Sequence, residues 1–182
     1  YFRYDTPAEE RFDRLVRMAR RLFDAPIALV TLIDQGRQWF KAASAPDGYE
    51  NPGEVPREVT FCGHTIAQQE ILVIPDTLAD QRFTDNPMVV GPPNIRFYAG
   101  CSVGDGKQHN VGTICIFDHQ PRDFRAEDIA LYSNAVFVAA GDLHDGRVAD
   151  ARQQGADGQA RHVAIGAAAV GGVDRVDVTV KD

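Results

Sequence analysis

Along residues 8–23 the apolar positions Phe12, Leu15, Val16, Ala19, Leu22 and Phe23 recur every three or four residues, which predicts an amphipathic helix with one face on a core. Thr6 is the expected cap, Pro7 sits where its missing N–H costs nothing, and Glu9 completes a capping box. Asp24-Ala25-Pro26 ends the helix. The pattern then becomes a nearly continuous apolar run over 27–33, bounded by Pro26 and Asp34, as a central strand requires. Asp34-Gln35-Gly36-Arg37 supplies a turn, and 38–41 returns as the partner strand. Residues 43–57 are rich in Pro, Gly, Asp and Glu and read as a long loop, of the kind that serves as a lid or stays mobile.

Thr60 is placed to cap a short helix over 61–69, followed by a strand over 71–74 and then Pro75-Asp76. Residues 78–93 carry Asp85-Asn86-Pro87 and Gly91-Pro92-Pro93, which leave room for no more than a helical turn or two. Strands over 95–103 and 111–117 are joined through Asp105-Gly106, a hairpin signal. A last helix spans 125–143 with Ile129, Tyr132, Val136 and Ala140 on one face. Two hairpins imply an α+β fold: a central antiparallel sheet with the terminal helices packed on one face, and the middle segment covering the other as a lidded ligand pocket.

Composition divides the chain. Residues 1–143 hold every aromatic residue and every leucine, whereas 144–182 is an Ala/Gly/Val-rich tail that reads as linker-like or poorly ordered, because such residues offer little area to offset the entropy of ordering. The 19 Lys+Arg against 26 Asp+Glu give a net charge of −7, which argues against a nucleic-acid partner or an anionic membrane surface. No apolar run has the ~18 residues of a spanning helix, and residues 1–5 lack the order of a signal peptide, so the chain reads as soluble and cytoplasmic. It opens on Tyr1, as a piece of a longer protein would. Cys62, Cys101 and Cys115 are odd in number and unevenly spaced, which fits reduced core thiols better than a disulfide framework.

Five ordered blocks carry a more specific signal: Phe61-Cys62-Gly63-His64-Thr65-Ile66, Ile74-Pro75-Asp76, Arg82-Phe83-Thr84-Asp85-Asn86-Pro87, Ile95-Arg96-Phe97-Tyr98-Ala99-Gly100 and Gly112-Thr113-Ile114-Cys115-Ile116-Phe117-Asp118. Over roughly residues 8–141 the chain resembles the GAF domain family, and within it the modules found beside histidine kinase and diguanylate cyclase domains in bacterial signalling proteins. The resemblance implies a ligand pocket between the sheet and residues 61–93. Two departures are the Cys101-Ser102-Val103 run, where the family often has Pro-Leu, and Arg125 in place of a small polar cap before the last helix.

Cys62 and His64 stand two apart at a helix start, a setting in which a thiol can be activated and an imidazole can ligate metal. A zinc site needs further ligands, with Asp76 or Cys115 as the candidates. The plainer reading, that both cysteines are small buried packers and His64 bonds the backbone, carries more weight. Family members that hold a bilin do so through Cys followed directly by His, and Gly63 intervenes here. Others bind haem, cyclic nucleotides or small aromatic effectors, and no motif selects a cofactor among them. Arg82, Asp85, Asn86, Arg96 and Tyr98 form the densest polar set. An Arg there can pair with a carboxylate or phosphate, and Phe83 and Tyr98 can stack on a ring. For each residue alone the structural reading carries more weight, with Asn86 capping a turn, Phe83 filling core and Arg96 pairing with Asp76 or Asp85, while as a group they mark the best pocket.

The expected ligand-binding set is therefore Cys62, His64, Asp76, Phe83, Asn86, Arg96, Tyr98 and Cys115. The expected function is a regulatory module without catalysis: a small ligand or a redox change alters the pocket, and the terminal helices pass the change to an output domain or to a second subunit of a homodimer. Free methionine-(R)-sulfoxide reductases offer an enzymatic alternative, since Cys62-Gly63 resembles their pocket segment, although residues 77–94 lack the attacking cysteine that resemblance requires. A ligand-free structural dimerisation module is the third possibility.

Overall fold

The structure is a computed structural model that describes residues 9–68, 71–104 and 110–136. Helix α1 (Glu10–Leu22) presents Phe12, Leu15, Val16 and Ala19 to the interior, the stripe the periodicity predicts. It opens with Glu9 as its N-cap rather than Thr6, which lies outside the described residues. Strand β1 (Ile27–Ile33) is buried along its whole length. At the turn Asp34 accepts the backbone N–H groups of Gly36 and Arg37, and β2 (Arg37–Ser44) then runs back alongside β1.

The expected long loop over 43–57 is corrected at both ends. β2 extends to Ser44, and Glu54–Pro56 forms a further short strand, β3, paired with Arg37, Gln38 and Trp39. Three residues, two of them exposed, give no period to read, so this strand exists only through its pairing.

Helix α2 (Phe61–Thr65), strand β4 (Leu72–Ile74), helix α3 (Pro87–Val90), strands β5 (Phe97–Gly104) and β6 (Asn110–Asp118) follow. Residues 126–136 form the last described helix, α4. Arg125 stands before it, and its backbone N–H donates to Asp128 at 2.9 Å, so the acid supplies the cap interaction that Arg125 does not. Ile129, Tyr132 and Val136 are buried as expected; Ala140, the Asp105-Gly106 hairpin signal and the 144–182 tail lie outside the described residues.

The six strands form one antiparallel sheet in the order β3-β2-β1-β6-β5-β4. Strand alternation separates two cores. Ala28, Val30, Leu32, Ile114 and Ile116 face α1 and α4, whereas Ile27, Leu29, Ile33, Cys115 and Phe117 face α2, α3 and the intervening loops. Phe23 meets Tyr132 edge-on at 5.2 Å, and the Tyr132 hydroxyl donates to the Ile114 carbonyl at 2.7 Å, tying α4 to the centre of the sheet. In the β1–β2 pair a bulge interrupts the register: Val30 opposes Ala42 and Thr31 opposes Phe40, with Lys41 as the inserted residue. Its side chain, 2% exposed, crosses to the helix face and pairs with Glu9 at 2.7 Å. No described helix is long and apolar enough to cross a membrane.

Candidate functional site

On the lid face, α2 begins where Thr60 accepts the Gly63 N–H at 3.1 Å. A β-carbon at Gly63 would stand 2.9 Å from the Arg57 carbonyl oxygen, so this tight cap explains why a glycine separates Cys62 from His64. One helical turn then buries Phe61, Cys62 and Thr65 and leaves His64 exposed. From the sheet, Tyr98 lies along its own strand over Gly100, where any β-carbon would come within 2.0 Å of the phenol oxygen.

That folded-over phenol completes a buried polar chamber. The Tyr98 hydroxyl is 2.6 Å from that of Thr65 and donates to the Cys62 sulfur at 3.6 Å. The sulfurs of Cys62 and Cys115 are 3.6 Å apart and both thiols are free. Thr113 donates to Cys115 at 3.7 Å and shares a 2.9 Å hydrogen bond with Thr31. Burial raises the Tyr98 and Cys115 pKa values well above their ordinary range. Burial acts in the same direction on Cys62, but hydrogen bonds from Cys115, Thr113, Tyr98 and Thr31 outweigh it and lower that thiol to about 7.

Above the chamber the aromatic residues are packed tightly. Phe61 stacks on Phe83 at 4.6 Å and on Tyr98 at 5.2 Å, with Phe117 closing the cluster 5.0 Å from Tyr98. His64 lies edge-on to Phe83 at 4.9 Å, and the Arg82 guanidinium sits 5.3 Å from the same ring. Loss of water around the imidazole, followed by the charge of Arg82, lowers the His64 pKa.

The structure thus brings Cys62, Phe83, Tyr98 and Cys115 together inside the fold, with His64 at the outer end of the stack. Asp76 and Arg96 stand apart as a half-exposed pair, joined by three hydrogen bonds of 2.9–3.0 Å, so Asp76 rather than Asp85 is the partner of Arg96. Asn86 spends both ends of its amide locally, accepting from Met88 as the cap of α3 and donating to the Val59 carbonyl. Among the described residues no group of three or more metal-type side chains converges.

Among the described residues, open space lies against β2. A cavity of about 530 Å³ separates the outer edge of β2 from the 45–53 loop, lined by Asp13, Trp39, Phe40, Lys41, Tyr49 and Asn51 among others. None of the expected ligand-binding residues lines it. Gly48 and Gly53 take positive φ angles of 86° and 74°, and the Phe40 N–H donates to the Gly53 carbonyl at 3.0 Å, which folds the loop back over the strand. The only sequence signal for this cavity was the Pro/Gly-rich loop itself.

The family model of the GAF domain matches residues 7–141. The chain belongs to the GAF domain family. This GAF domain is 35% identical over 138 residues to a cyclic di-GMP phosphodiesterase of Pseudomonas aeruginosa, a match that takes in 75% of the chain and 23% of the relative. The chain therefore spans about a quarter of the length of the curated relative it matches. Among solved structures, it resembles a type II free methionine-R-sulfoxide reductase from Thermoplasma acidophilum, at 13% identity and a TM-score of 0.60 over 75% of this chain and 92% of that one. It also resembles the GAF domain of an Acinetobacter phosphoenolpyruvate-protein phosphotransferase, at 18% identity and a TM-score of 0.54 over 80% and 84% of the two chains. At these identities the likeness is one of fold alone.

Proposed function

We propose that this GAF domain is a regulatory sensor unit of a bacterial signalling protein, which binds a small molecule and passes its occupancy to an output domain or a second subunit. One observation carries the reading: the segment matches a minor part of a much longer signalling enzyme, as an accessory domain would. The output is then a cyclic-dinucleotide or kinase domain lying elsewhere in the full protein. The ligand occupies the cavity against β2, whose volume lies within the range of small-molecule sites. Phe40, Ala43 and Ala45 on its wall also pack on the lid-face core, so filling the cavity presses on the chamber that holds Tyr98, Cys62 and Cys115. Asp76, His64, Phe83 and Arg96 respond through the lid, and Asn86 holds that lid to the turn before α2.

The single tryptophan of the chain, Trp39, lines the cavity and gives a direct readout. A screen of cyclic mononucleotides, haem and small aromatic acids is expected to find at least one compound that changes Trp39 fluorescence and raises Tm, with Tyr49→Ala weakening both. Silence across such a screen favours a dimerisation module. Turnover of free methionine sulfoxide with a thiol donor makes the chain an enzyme instead.

A further inference from the structure

Ligand binding gives the two central thiols no chemistry of their own, yet their placement is specific. Cys62 belongs to α2 in the lid and Cys115 to β6 in the middle of the sheet, 53 residues later in sequence, and their sulfurs face each other at 3.6 Å. A disulfide holds its sulfurs at about 2.05 Å, so an approach of about 1.5 Å separates the observed pair from a bond. Donors surround the sulfurs: Tyr98 on Cys62 and Thr113 on Cys115. A chamber selected for packing alone has no need of hydroxyls aimed at sulfur, whereas a thiolate or a sulfenic acid does.

We propose that Cys62 and Cys115 form an oxidation site that takes hydroperoxides and closes to a reversible disulfide, tying the lid to the sheet. The Cys62 sulfur attacks one peroxide oxygen and the O–O bond breaks; the departing oxygen takes up the thiol proton and leaves as water or an alcohol, with Cys62 now a sulfenic acid. The Cys115 sulfur then attacks the Cys62 sulfur, the S–O bond breaks, and that oxygen leaves as water with the Cys115 proton. The two thiols lose two electrons and two protons together, and the hydroperoxide is the species reduced. Cys62 is the attacking partner because its hydrogen bonds lower it to about 7, while burial raises Cys115. Cys101, packed against the other core, is raised by burial to about 11 and serves as an internal control.

The test treats the full chain, reduced and then freed of reductant, with hydrogen peroxide under native conditions, followed by non-reducing peptide mass spectrometry. The expected product links the Cys62 and Cys115 peptides, consumes two of the three thiols and returns both to dithiothreitol, and Cys101→Ser leaves that result unchanged. Cys62→Ser and Cys115→Ser each abolish the link. Because either serine can disturb the chamber, the wild-type map decides alone. Folded protein whose two thiols survive peroxide, whose Cys101 reacts first, or whose Cys62 stops at sulfinic acid overturns the proposal. Trp39 fluorescence with a cavity ligand is read separately, so the sensor reading and this one fail independently.

Discussion

The two faces of this one sheet are held by different physics. The helix face is an apolar core in which Phe12, Val16, Val30, Phe97, Ile116 and Tyr132 exclude water, with one hydroxyl answered by a strand carbonyl. The lid face mixes the Phe61 aromatic stack with a chamber of two thiols and the hydroxyls of Thr31, Thr65, Tyr98 and Thr113. Apolar burial is non-directional, so the first face tolerates small rearrangements at a cost set by volume. The second depends on where each donor points, because an unmatched buried polar group loses its water without replacement.

The largest test of that contrast is Phe12→Ala, expected to cost about 3–5 kcal/mol in urea unfolding through lost volume on the helix face. It should leave the reactivity of Cys62 toward a thiol reagent in the folded state unchanged. Faster labelling of Cys62 in that variant means the two faces are not independent.

Gly100→Ala comes next. Its β-carbon would occupy the slot of the Tyr98 phenol, so we expect a loss of roughly 1–3 kcal/mol together with faster labelling of Cys62 as the phenol is displaced. A stability loss with no change in labelling shows the phenol is not what shields the sulfur.

The Lys41–Glu9 pair sharpens the comparison from the other side, as an ion pair with a buried lysine that pins the start of α1 to the sheet. Burial raises the Glu9 pKa, but the hydrogen bonds and charges of Lys41 and Arg11 lower it overall. A carboxyl depressed in the folded state contributes stability above its unfolded pKa, which is lost as pH falls through the folded value. Chemical denaturation should therefore show stability declining below about pH 4.3, with a shallower decline in Glu9→Gln. An identical slope in the variant assigns the acid sensitivity to other carboxylates.

Smallest of all, Asp76→Asn should cost no more than about 1 kcal/mol, because the Asp76–Arg96 pair is half-exposed and solvent screens it. A loss several times larger makes this pair a structural hinge of the lid.

Much of this architecture is legible in the residue pattern. The stripe of α1, the apolar run of β1 and the caps at Thr60 and Asn86 are all set by residues close together in the chain, which a sequence displays directly. Other features leave no local trace. β3 is three residues long and owes its existence to β2; the Lys41 bulge shifts a register without altering composition; Arg96 had two plausible acids in reach until the turn after β4 placed Asp76 beside it. The residues expected to bind a ligand divide among a packed interior, a surface pair and a cap, while the ligand-sized space opens beside a loop flagged only by its length and composition.

The sequence by itself determined the order of the elements apart from β3, the sheet with two coverable faces and membership of the GAF domain family, because these rest on periodicity and on short ordered blocks. Only the tertiary structure decided that Cys62 meets Cys115, that Gly100 makes room for Tyr98, and that the cavity lies against β2. Each depends on strand register and on contacts between distant segments, where a shift of one residue along a strand would turn every side chain to the opposite face.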